Sequence, residues 1–471
     1  MYPILKEDLN KQESILQQTY EDALAFLAKR SEQKVEPGFP GAPASALPAE
    51  GLGAEKVQDF FRKHYLPWVP ASSGSRYFGY VIGGVTPAAL AGDWYTSLID
   101  QNAFGQPGSL DRQIEQEALQ FVRDLLGLPG SFQGAFVSGA TTSAFVALTC
   151  ARQWAAAQKG HSASEEGLYG LPRPDIASGL THGANYKAAS MAGFGRNIHA
   201  LPLLPGREAV DIQALKDYLA SRDQSRPLIY IANIGTANSG DIDDLNAIAQ
   251  LKERYGFWLH ADGAFGGLMA CVPEWQDSFR LLSSADSLTM DTHKWLNVPY
   301  DGAIVLTRHL HEQYQSFSNE LTPGPLASAN TLHHHLTPEG SRRLRALPAW
   351  FTMLAYGKAG YADICRRNVA MCRLYGEMIK NSDCFRLLNE VRSNVVAFTL
   401  NLSPEKITED LIKEILGEVQ KAGITYSNYV PYLNKPALRV CMTNWMTEEA
   451  DVIAAYRSME ESARQVISRR F

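Results

Sequence analysis

The residues best suited to chemistry are a lysine and an aspartate that each follow an apolar run. Lys294 lies in the segment DTHKW after residues 287–290, and Asp262 closes the run WLHA. Burial favours the neutral, nucleophilic form of an amine, which can attack carbonyl groups. A carboxylate at a strand end needs a partner, such as a protonated ring nitrogen. A surface lysine and a helix-capping aspartate are the alternatives.

Two further segments carry weaker signals. Residues 138–144 (SGATTSA) join a predicted strand to a predicted helix. Small residues there let the backbone approach an anion, and the first N–H groups of the helix point at it. A phosphate site and an ordinary helix cap are both consistent with this segment. His182 follows Thr181, and its ring is either structural or stacked on an aromatic ligand.

The elements that must position these residues alternate between strand and helix. Apolar runs predict strands at residues 135–137, 228–232, 257–261 and 287–290. Helical spacing and terminal signals predict helices at residues 111–126, 141–157 and 245–255. This alternation predicts an α/β fold with a mainly parallel sheet covered on both faces. Ligands gather beyond the carboxyl ends of such strands, where the four segments above are expected.

The remaining chain suggests two flanking units. The first thirty residues show the apolar spacing of an amphipathic helix, and residues 37–43 read as a linker. Residues 314–341 predict a long loop of the kind that forms a lid or binding loop. We expect an N-terminal helical segment over residues 1–76, a large domain over 77–345 and a smaller α+β domain over 346–471.

Composition limits the partners and the compartment. The 471 residues are 45% hydrophobic and 20% charged, with a net charge of −6 and no long basic run. We therefore expect no nucleic-acid partner. No signal peptide and no membrane-spanning run are recognised. The six cysteines form no CxxC pair, which favours reduced thiols in a cytoplasmic protein, and no metal site is predicted.

Taken together, the motifs resemble those of the group II pyridoxal 5′-phosphate (PLP) dependent amino-acid decarboxylases. That family has a His-Lys pair, an aspartate about thirty residues earlier and a stacking histidine further upstream. The corresponding residues here are His293 with Lys294, Asp262 and His182. The segments WLHAD, IGTANSG and SRRLRAL are also similar to family segments. The resemblance extends from about residue 77 to residue 445.

The resemblance implies roles for individual residues. Lys294 would hold PLP as a Schiff base, and Asp262 would keep the ring nitrogen protonated. His182 would stack on the ring. The other residues implied to bind the cofactor are Gly139, Ala140 and Thr141 at the phosphate, His293 near the phosphate, Thr236 at the ring hydroxyl and Ala264 against the ring.

The resemblance also implies the architecture and the partners. It implies PLP fold type I and a homodimer whose active sites lie between the subunits. The N-terminal helix would then lie on the partner subunit. Tyr80 and Val81 match the substrate pocket of the family, and Phe104 matches a segment that reaches across the dimer. The substrate would be an L-amino acid, which is a small molecule, and the product would be the corresponding amine.

The sequence departs from the family in the loop before residue 342. Many members have a tyrosine there that protonates the carbanion, whereas this chain has none between residues 315 and 345. We hypothesise that His333 replaces it as general acid, or that the loop takes no part. Aldehyde synthase, aminotransferase with Arg439 binding the substrate carboxylate, and PLP binding without turnover are the alternatives. Gly83-Gly84 and the apolar Val81-Ile82 favour an apolar or aromatic substrate.

Overall fold

The structure is a computed structural model in which residues 1–41, 46–171, 173–320 and 331–471 are described. The α-helices of these residues are, in chain order, α1 (Pro3–Asn10), α2 (Gln12–Lys29), α3 (Ala54–His64), α4 (Pro87–Ile99), α5 (Leu110–Leu126), α6 (Ala140–Ala157), α7 (Ala163–Glu166), α8 (Gly183–Met191), α9 (Ile212–Ser221), α10 (Leu245–Tyr255), α11 (Gln276–Phe279), α12 (Leu310–Phe317), α13 (Ala346–Lys380), α14 (Glu409–Ala422) and α15 (Glu449–Arg470). Short 3₁₀ turns occur at Leu66–Trp68, Gly266–Cys271, Pro273–Trp275, Leu282–Ser284, His333–His335 and Pro404–Lys406.

The strands form two sheets. They are β1 (Gln133–Val137), β2 (Asp175–Ser178), β3 (His199–Ala200), β4 (Leu228–Asn233), β5 (Trp258–Asp262), β6 (Ser287–Asp291), β7 (Ala303–Thr307), β8 (Phe385–Leu387), β9 (Val395–Leu400), β10 (Asn428–Tyr432) and β11 (Lys435–Cys441). The large sheet has the order β1-β7-β6-β5-β4-β2-β3, and the small sheet has the order β10-β11-β9-β8.

The large sheet is mainly parallel, as the sequence predicts. Strands β3, β2, β4, β5 and β6 pair in parallel, whereas β7 runs antiparallel to both β6 and β1. Strand β7 was not predicted, because no chemical motif marks its short apolar run. Since β1 lies antiparallel to β7, it points the same way as β6. The carboxyl ends of β1, β4, β5 and β6 therefore meet at one edge of the sheet.

The predicted helices of this domain are confirmed to within one residue at either end. Helix α5 buries the apolar face that contains Ile114, Ala118 and Val122. Helix α10 begins after Asp244, whose carboxylate accepts a hydrogen bond from the N–H of Ala247. It ends at Gly256, which has a φ of 67° that glycine adopts without steric cost. Such local signals fix helix ends without tertiary information.

Helix α13 connects the two sheets. It is interrupted at Gly357, where φ is 58°. Its residues up to Val369 pack into the large-domain core, and Cys372, Tyr375 and Ile379 pack into the core of the antiparallel sheet. The smaller α+β unit is present, but this helix contributes to both cores. The domain boundary at residue 346 stays a prediction.

The N-terminal region is helical but consists of two helices, because the chain leaves helical geometry at Lys11. Several leucines of α1 and α2 are exposed, among them Leu5, Leu9, Leu16 and Leu24.

Of the predicted loop 314–341, residues 314–317 instead end α12, and residues 321–330 lie outside the described residues. All six cysteines are buried and unpaired. Within the described ranges, no helix has both the length and the apolar character needed to cross a membrane.

Candidate active site

A cavity of about 380 Å³ opens at the carboxyl edge of the large sheet. Strand β4 ends at Asn233, which pairs in register with Asp262 on β5. Asp262 in turn pairs in register with Thr289 on β6. All three residues line the cavity. The predicted residues that line it are Tyr80, Val81, Ala140, His182, Thr236, Asp262, Ala264 and Lys294. The sheet therefore brings together side chains that are up to 214 positions apart, from Tyr80 to Lys294.

The Asp262 carboxylate is held from two sides. The Nδ2 atom of Asn185 donates to Oδ2 at 2.6 Å, and the N–H of Ala264 donates to Oδ1 at 3.2 Å. Asn185 is buried, and its own Oδ1 has no hydrogen-bond partner among the described residues. Sequence reasoning missed Asn185. The available signal is its position three residues after His182, because residues at this spacing share one face of a helix.

His182 begins α8 and faces the same cavity. Its Nδ1 accepts a hydrogen bond from the N–H of Ala184 at 3.2 Å, which fixes the orientation of the ring. The side chain is exposed in the single chain, so its ring face is accessible to a flat ligand. Leu180 and Phe265, which were not predicted, add apolar surface to the cavity wall.

The start of α6 supplies unpaired N–H groups beside the cavity. Gly139 precedes the helix, Ala140 lines the cavity and Thr141 lies in the first helical turn. The first N–H groups of a helix have no partner within the helix, and its dipole favours an anion. A Cβ atom on Gly139 would lie 3.8 Å from Cε1 of His293, so this histidine adjoins the helix start.

His293 is itself held in place. Its Nδ1 accepts from the N–H of Gly302 at 3.3 Å, and its ring stacks on Tyr300 with centroids 4.2 Å apart. Burial lowers the pKa of His293, and the charge of nearby Lys294 lowers it further, although Asp291 acts in the opposite direction. Burial and Lys294 therefore both disfavour the charged form of the imidazole.

Thr236 lines the cavity, but its hydroxyl is occupied. Its Oγ1 donates to Oε2 of the buried Glu208 at 2.7 Å and accepts from the N–H of Asp241 at 3.0 Å. Glu208 also accepts from Ser239 and Asn238, so it fixes the whole turn. The structure thus places Thr236 in the wall, and its contact with a ring hydroxyl stays a prediction.

Arg439 ties two parts of the wall together. Its Nη1 donates to the carbonyl of Ala237 at 2.6 Å, and its Nη2 donates to the carbonyl of Tyr80 at 2.6 Å and to Oδ1 of Asn428 at 2.9 Å. The same Asn428 oxygen accepts from the N–H of Tyr80. Tyr80 has a φ of 51°, which is unusual for a bulky residue and is stabilised by these contacts. Both Nη atoms of Arg439 therefore already donate hydrogen bonds to other groups of the protein.

Gly83 and Gly84 lie outside the wall of this cavity, so they do not support the preference for an apolar or aromatic substrate that the sequence suggests. A Cβ atom on Gly83 would lie 1.8 Å from the carbonyl oxygen of Lys294, and one on Gly84 would lie 2.5 Å from Oδ1 of Asn444. Neither glycine lines the cavity. The segment needs glycine because it passes directly over the backbone of the lysine turn.

Phe104 and His333 lie together, away from this cavity. The N–H of His333 donates to the carbonyl of Phe104 at 3.0 Å. His333 is buried, and its Nδ1 lies 3.2 Å from Oε2 of Glu115. Neither residue lines the Lys294 cavity of its own chain. The roles expected for both residues stay predictions.

The fold and the site define a class: an α/β protein with a lysine and a carboxylate in one cavity at the carboxyl edge of its large sheet. Residues 43–401 match the family profile described as the pyridoxal-dependent decarboxylase conserved domain. The chain belongs to this family. It is accordingly a PLP-dependent carboxy-lyase whose cofactor is PLP, and the family resemblance is confirmed.

Related proteins support this assignment at low identity. Tryptophan decarboxylase 1 of Oryza sativa subsp. japonica is 24% identical over 443 residues, which are 86% of this chain and 84% of that protein. Phenylacetaldehyde synthase of Arabidopsis thaliana is 24% identical over 432 residues, covering 88% and 86%. The crystal structure of Catharanthus roseus tryptophan decarboxylase in complex with L-tryptophan has a TM-score of 0.87 at 17% identity and covers 99% and 100%. This structural similarity confirms the predicted PLP fold type I.

The residues present fit the cofactor. PLP carries an aldehyde, a pyridine nitrogen and a phosphate, which require an amine, a carboxylate and a group of N–H donors. The cavity provides Lys294, Asp262 and the start of α6 for these three groups. Asn185 also lines the cavity, where its Nδ2 binds Asp262 and its buried Oδ1 has no hydrogen-bond partner among the described residues. The donor set therefore matches the chemistry of the cofactor group by group.

Proposed function

We propose that the protein decarboxylates an amino acid with an apolar or aromatic side chain to the corresponding amine. The observation that carries this proposal is the presence of Lys294 and Asp262 in one cavity, with Asp262 held by Asn185. Val81, Leu180 and Phe265 support the side-chain preference, because they give the cavity an apolar wall. Relatives named tryptophan decarboxylase are in agreement.

Each residue of the site has a defined task in this proposal. Lys294 would hold the cofactor through its amine. Asp262 would hold the ring nitrogen with its proton, and His182 would cover the ring face. The start of α6, with Gly139, binds the phosphate. The chemistry that PLP supplies when bound is an electron sink for the pair that departing CO₂ leaves behind.

The test combines a spectrum with a substrate panel. The purified protein loaded with PLP should show a yellow absorption band, and borohydride should attach the cofactor to Lys294. Lys294→Ala should lose both signals, whereas Lys187→Ala, which changes an exposed lysine on α8, should retain them. Incubation with twenty amino acids should release CO₂ and amine from apolar or aromatic members. A colourless wild-type protein, or trapping at another lysine, would reject the proposal.

Aldehyde synthesis is the second candidate. It is favoured by the absence of tyrosine between residues 315 and 345 and by the related phenylacetaldehyde synthase. In that reaction the amino acid, O₂ and water yield aldehyde, CO₂, ammonia and hydrogen peroxide. Quantifying amine, aldehyde and peroxide from one assay separates the two reactions. If His333 is the general acid, His333→Ala should shift the products from amine toward aldehyde, and an unchanged amine yield would remove His333 from the mechanism.

We further propose that the active form is a homodimer. The exposed leucines of α1 and α2 and the exposed Trp94, Tyr95 and Leu98 of α4 support it, because large apolar surfaces of this kind mark association sites. Light scattering should give twice the chain mass of 51.9 kDa. Leu98→Asp should weaken the dimer, whereas Leu354→Asp changes another exposed leucine, on α13, and serves as the comparison.

A further inference from the structure

A second carboxylate contacts the reactive lysine. Oδ2 of Asp291 lies 2.8 Å from Nζ of Lys294, and the two side chains are 2% and 20% exposed. Strand β6 ends at Asp291, and the following turn places Lys294 three residues later beside it. We propose that Asp291 is a positioning residue, which holds the free amine of Lys294 as an ammonium group in the cavity whenever this lysine is not joined to the cofactor.

The surroundings of Asp291 distinguish it from an ordinary structural acid. Its Oδ1 is buried and has no hydrogen-bond partner in the described part of the chain. Asp243, a comparable buried acid, receives hydrogen bonds on both oxygens from the N–H groups of Val210 and Asn233. A buried carboxylate with an unsatisfied oxygen is unfavourable unless a cation compensates it. Lys294 is the cation that compensates Asp291.

The neighbouring histidine does not compete for this role. Nε2 of His293 lies 3.8 Å from Oδ2 of Asp291, a full ångström further than the lysine nitrogen. Burial lowers the pKa of His293, so its ring carries no charge at neutral pH. The pair of Asp291 with Lys294 is therefore the one between opposite charges.

The carboxylates of Asp291 and Asp262 bind different side chains, Lys294 and Asn185 respectively. Asp262 is held by Asn185 and by the N–H of Ala264, and the N–H of Asp291 donates to the carbonyl of Ala264 at 2.9 Å. The two carboxylates thus share one backbone segment but bind different partners. A lysine side chain has large rotamer freedom, and a fixed carboxylate restricts its amine to one place. The nitrogen of Lys294 is then already in the cavity when an aldehyde arrives, and it attacks after losing one proton to Asp291 or to solvent.

This inference uses one part of the proposed function, the assignment of Lys294 as the cofactor lysine. Its test uses the cofactor-free protein and needs no turnover. Limiting acetic anhydride at pH 7.5 acetylates neutral amines, and mass spectrometry gives the rate at Lys294 relative to Lys252. Lys252 is the internal reference, because it is 18% exposed and pairs with Asp286 at 3.0 Å.

We expect Asp291→Asn to raise the relative acetylation rate of Lys294 by at least about tenfold. The ammonium form does not react with the anhydride, and the substitution removes the negative charge that stabilises this form. Asp291→Glu should restore most of the protection. Asp301→Asn removes a nearby exposed carboxylate that pairs with Arg345 and should change the rate by less than about twofold. A ratio within about twofold of the wild type in Asp291→Asn overturns the inference.

A purely structural role gives a different pattern, in which the melting temperature falls and the acetylation ratio stays constant. Asp291→Ser is the second variant should Asp291→Asn not fold. If neither folds, Asp291 is required by the fold itself and the inference is overturned. Borohydride trapping reports separately on the cofactor lysine, so a failure of the proposed function is distinguishable from a failure of this pair.

Discussion

Glu115 and Arg342 form a bidentate ion pair inside the large domain. Nη1 of Arg342 lies 3.1 Å from Oε2 of Glu115, and Nη2 lies 3.0 Å from Oε1, with the side chains 1% and 2% exposed. Burial alone would raise the pKa of the Glu115 carboxyl, but Arg342 and His333 hold it well below its ordinary value. Arg342 also donates to the carbonyl of Phe136, so the pair ties the SRRLRAL segment to β1.

Replacing this arginine should strongly destabilise the protein. Arg342→Met leaves Glu115 as a poorly compensated buried charge, which we expect to lower the free energy of unfolding by about 3–5 kcal/mol. Urea unfolding followed by circular dichroism measures the change. Arg343→Met removes the neighbouring, partly exposed arginine that pairs with Asp93, and it should cost less than about 1 kcal/mol. Equal effects of the two variants would contradict the assigned role.

His260 should make stability depend on pH. Burial lowers its pKa to about 4, despite the opposing charge of Asp262. The unfolded chain, with an ordinary histidine pKa of about 6.5, therefore binds the proton more readily than the folded chain. Above pH 6.5 the neutral His260 makes its full contribution to the free energy of unfolding. This free energy decreases by about 3 kcal/mol as the pH falls toward 4.

The measurement is urea unfolding between pH 4.5 and 7. His260→Asn should flatten the dependence of unfolding free energy on pH in this window, whatever its effect on absolute stability. His199→Asn changes an exposed histidine that stacks on Tyr218 and should leave the slope intact. A slope that survives in His260→Asn would assign the dependence to other groups.

Asn185 should contribute to cofactor affinity through Asp262. Asn185→Ala removes the 2.6 Å hydrogen bond to Oδ2 of Asp262. Hydrogen bonds to charged groups contribute about 1.5–3 kcal/mol, so the dissociation constant for PLP should rise by about 10- to 100-fold. Titration of the cofactor-free protein by absorbance measures it. Asn246→Ala, which affects a remote contact with Asp277, should bind PLP like the wild type.

Gly83 should not tolerate even a methyl group. In Gly83→Ala the new Cβ would collide with backbone atoms of Lys294, which cannot rotate away. We expect a loss of more than about 2 kcal/mol in unfolding free energy, together with impaired PLP loading. Gly130→Ala adds the same methyl group where nothing lies within 4 Å and should be nearly neutral. Unchanged loading in a stable Gly83→Ala protein would show that the turn can move.

The sequence is most informative where chemistry coincides with a strand end. The position of Asp262 and Lys294 at one edge of the sheet was predictable because each follows a buried apolar strand, whereas their roles toward the cofactor stay predictions. The sheet then brings such residues to one edge by its geometry alone. The helix start at residues 138–141 was predictable for the same reason, although its signal was ambiguous before Asp262 and Lys294 were considered with it.

The partners of these residues could not be predicted, because they depend on contacts distant in sequence. Asn428 holds the backbone of Tyr80 across 348 positions, and Glu208 reaches Thr236 from a turn that carries no motif. The close approach at Gly83 was not predicted, because a missing side chain indicates either an open cavity or a close backbone contact. Only the path of the chain over Lys294 distinguishes the two.

The part of helix α13 that follows Gly357 has a consequence for how the chain unfolds. Its first turns pack with the core that contains Tyr361 and Val369, and its next turns pack with the core that contains Tyr375 and Ile379. Neither core can melt without removing support from the helix that also stabilises the other. The two sheets are thereby coupled thermodynamically, and loss of order in the smaller one would spread to the edge that carries Lys294.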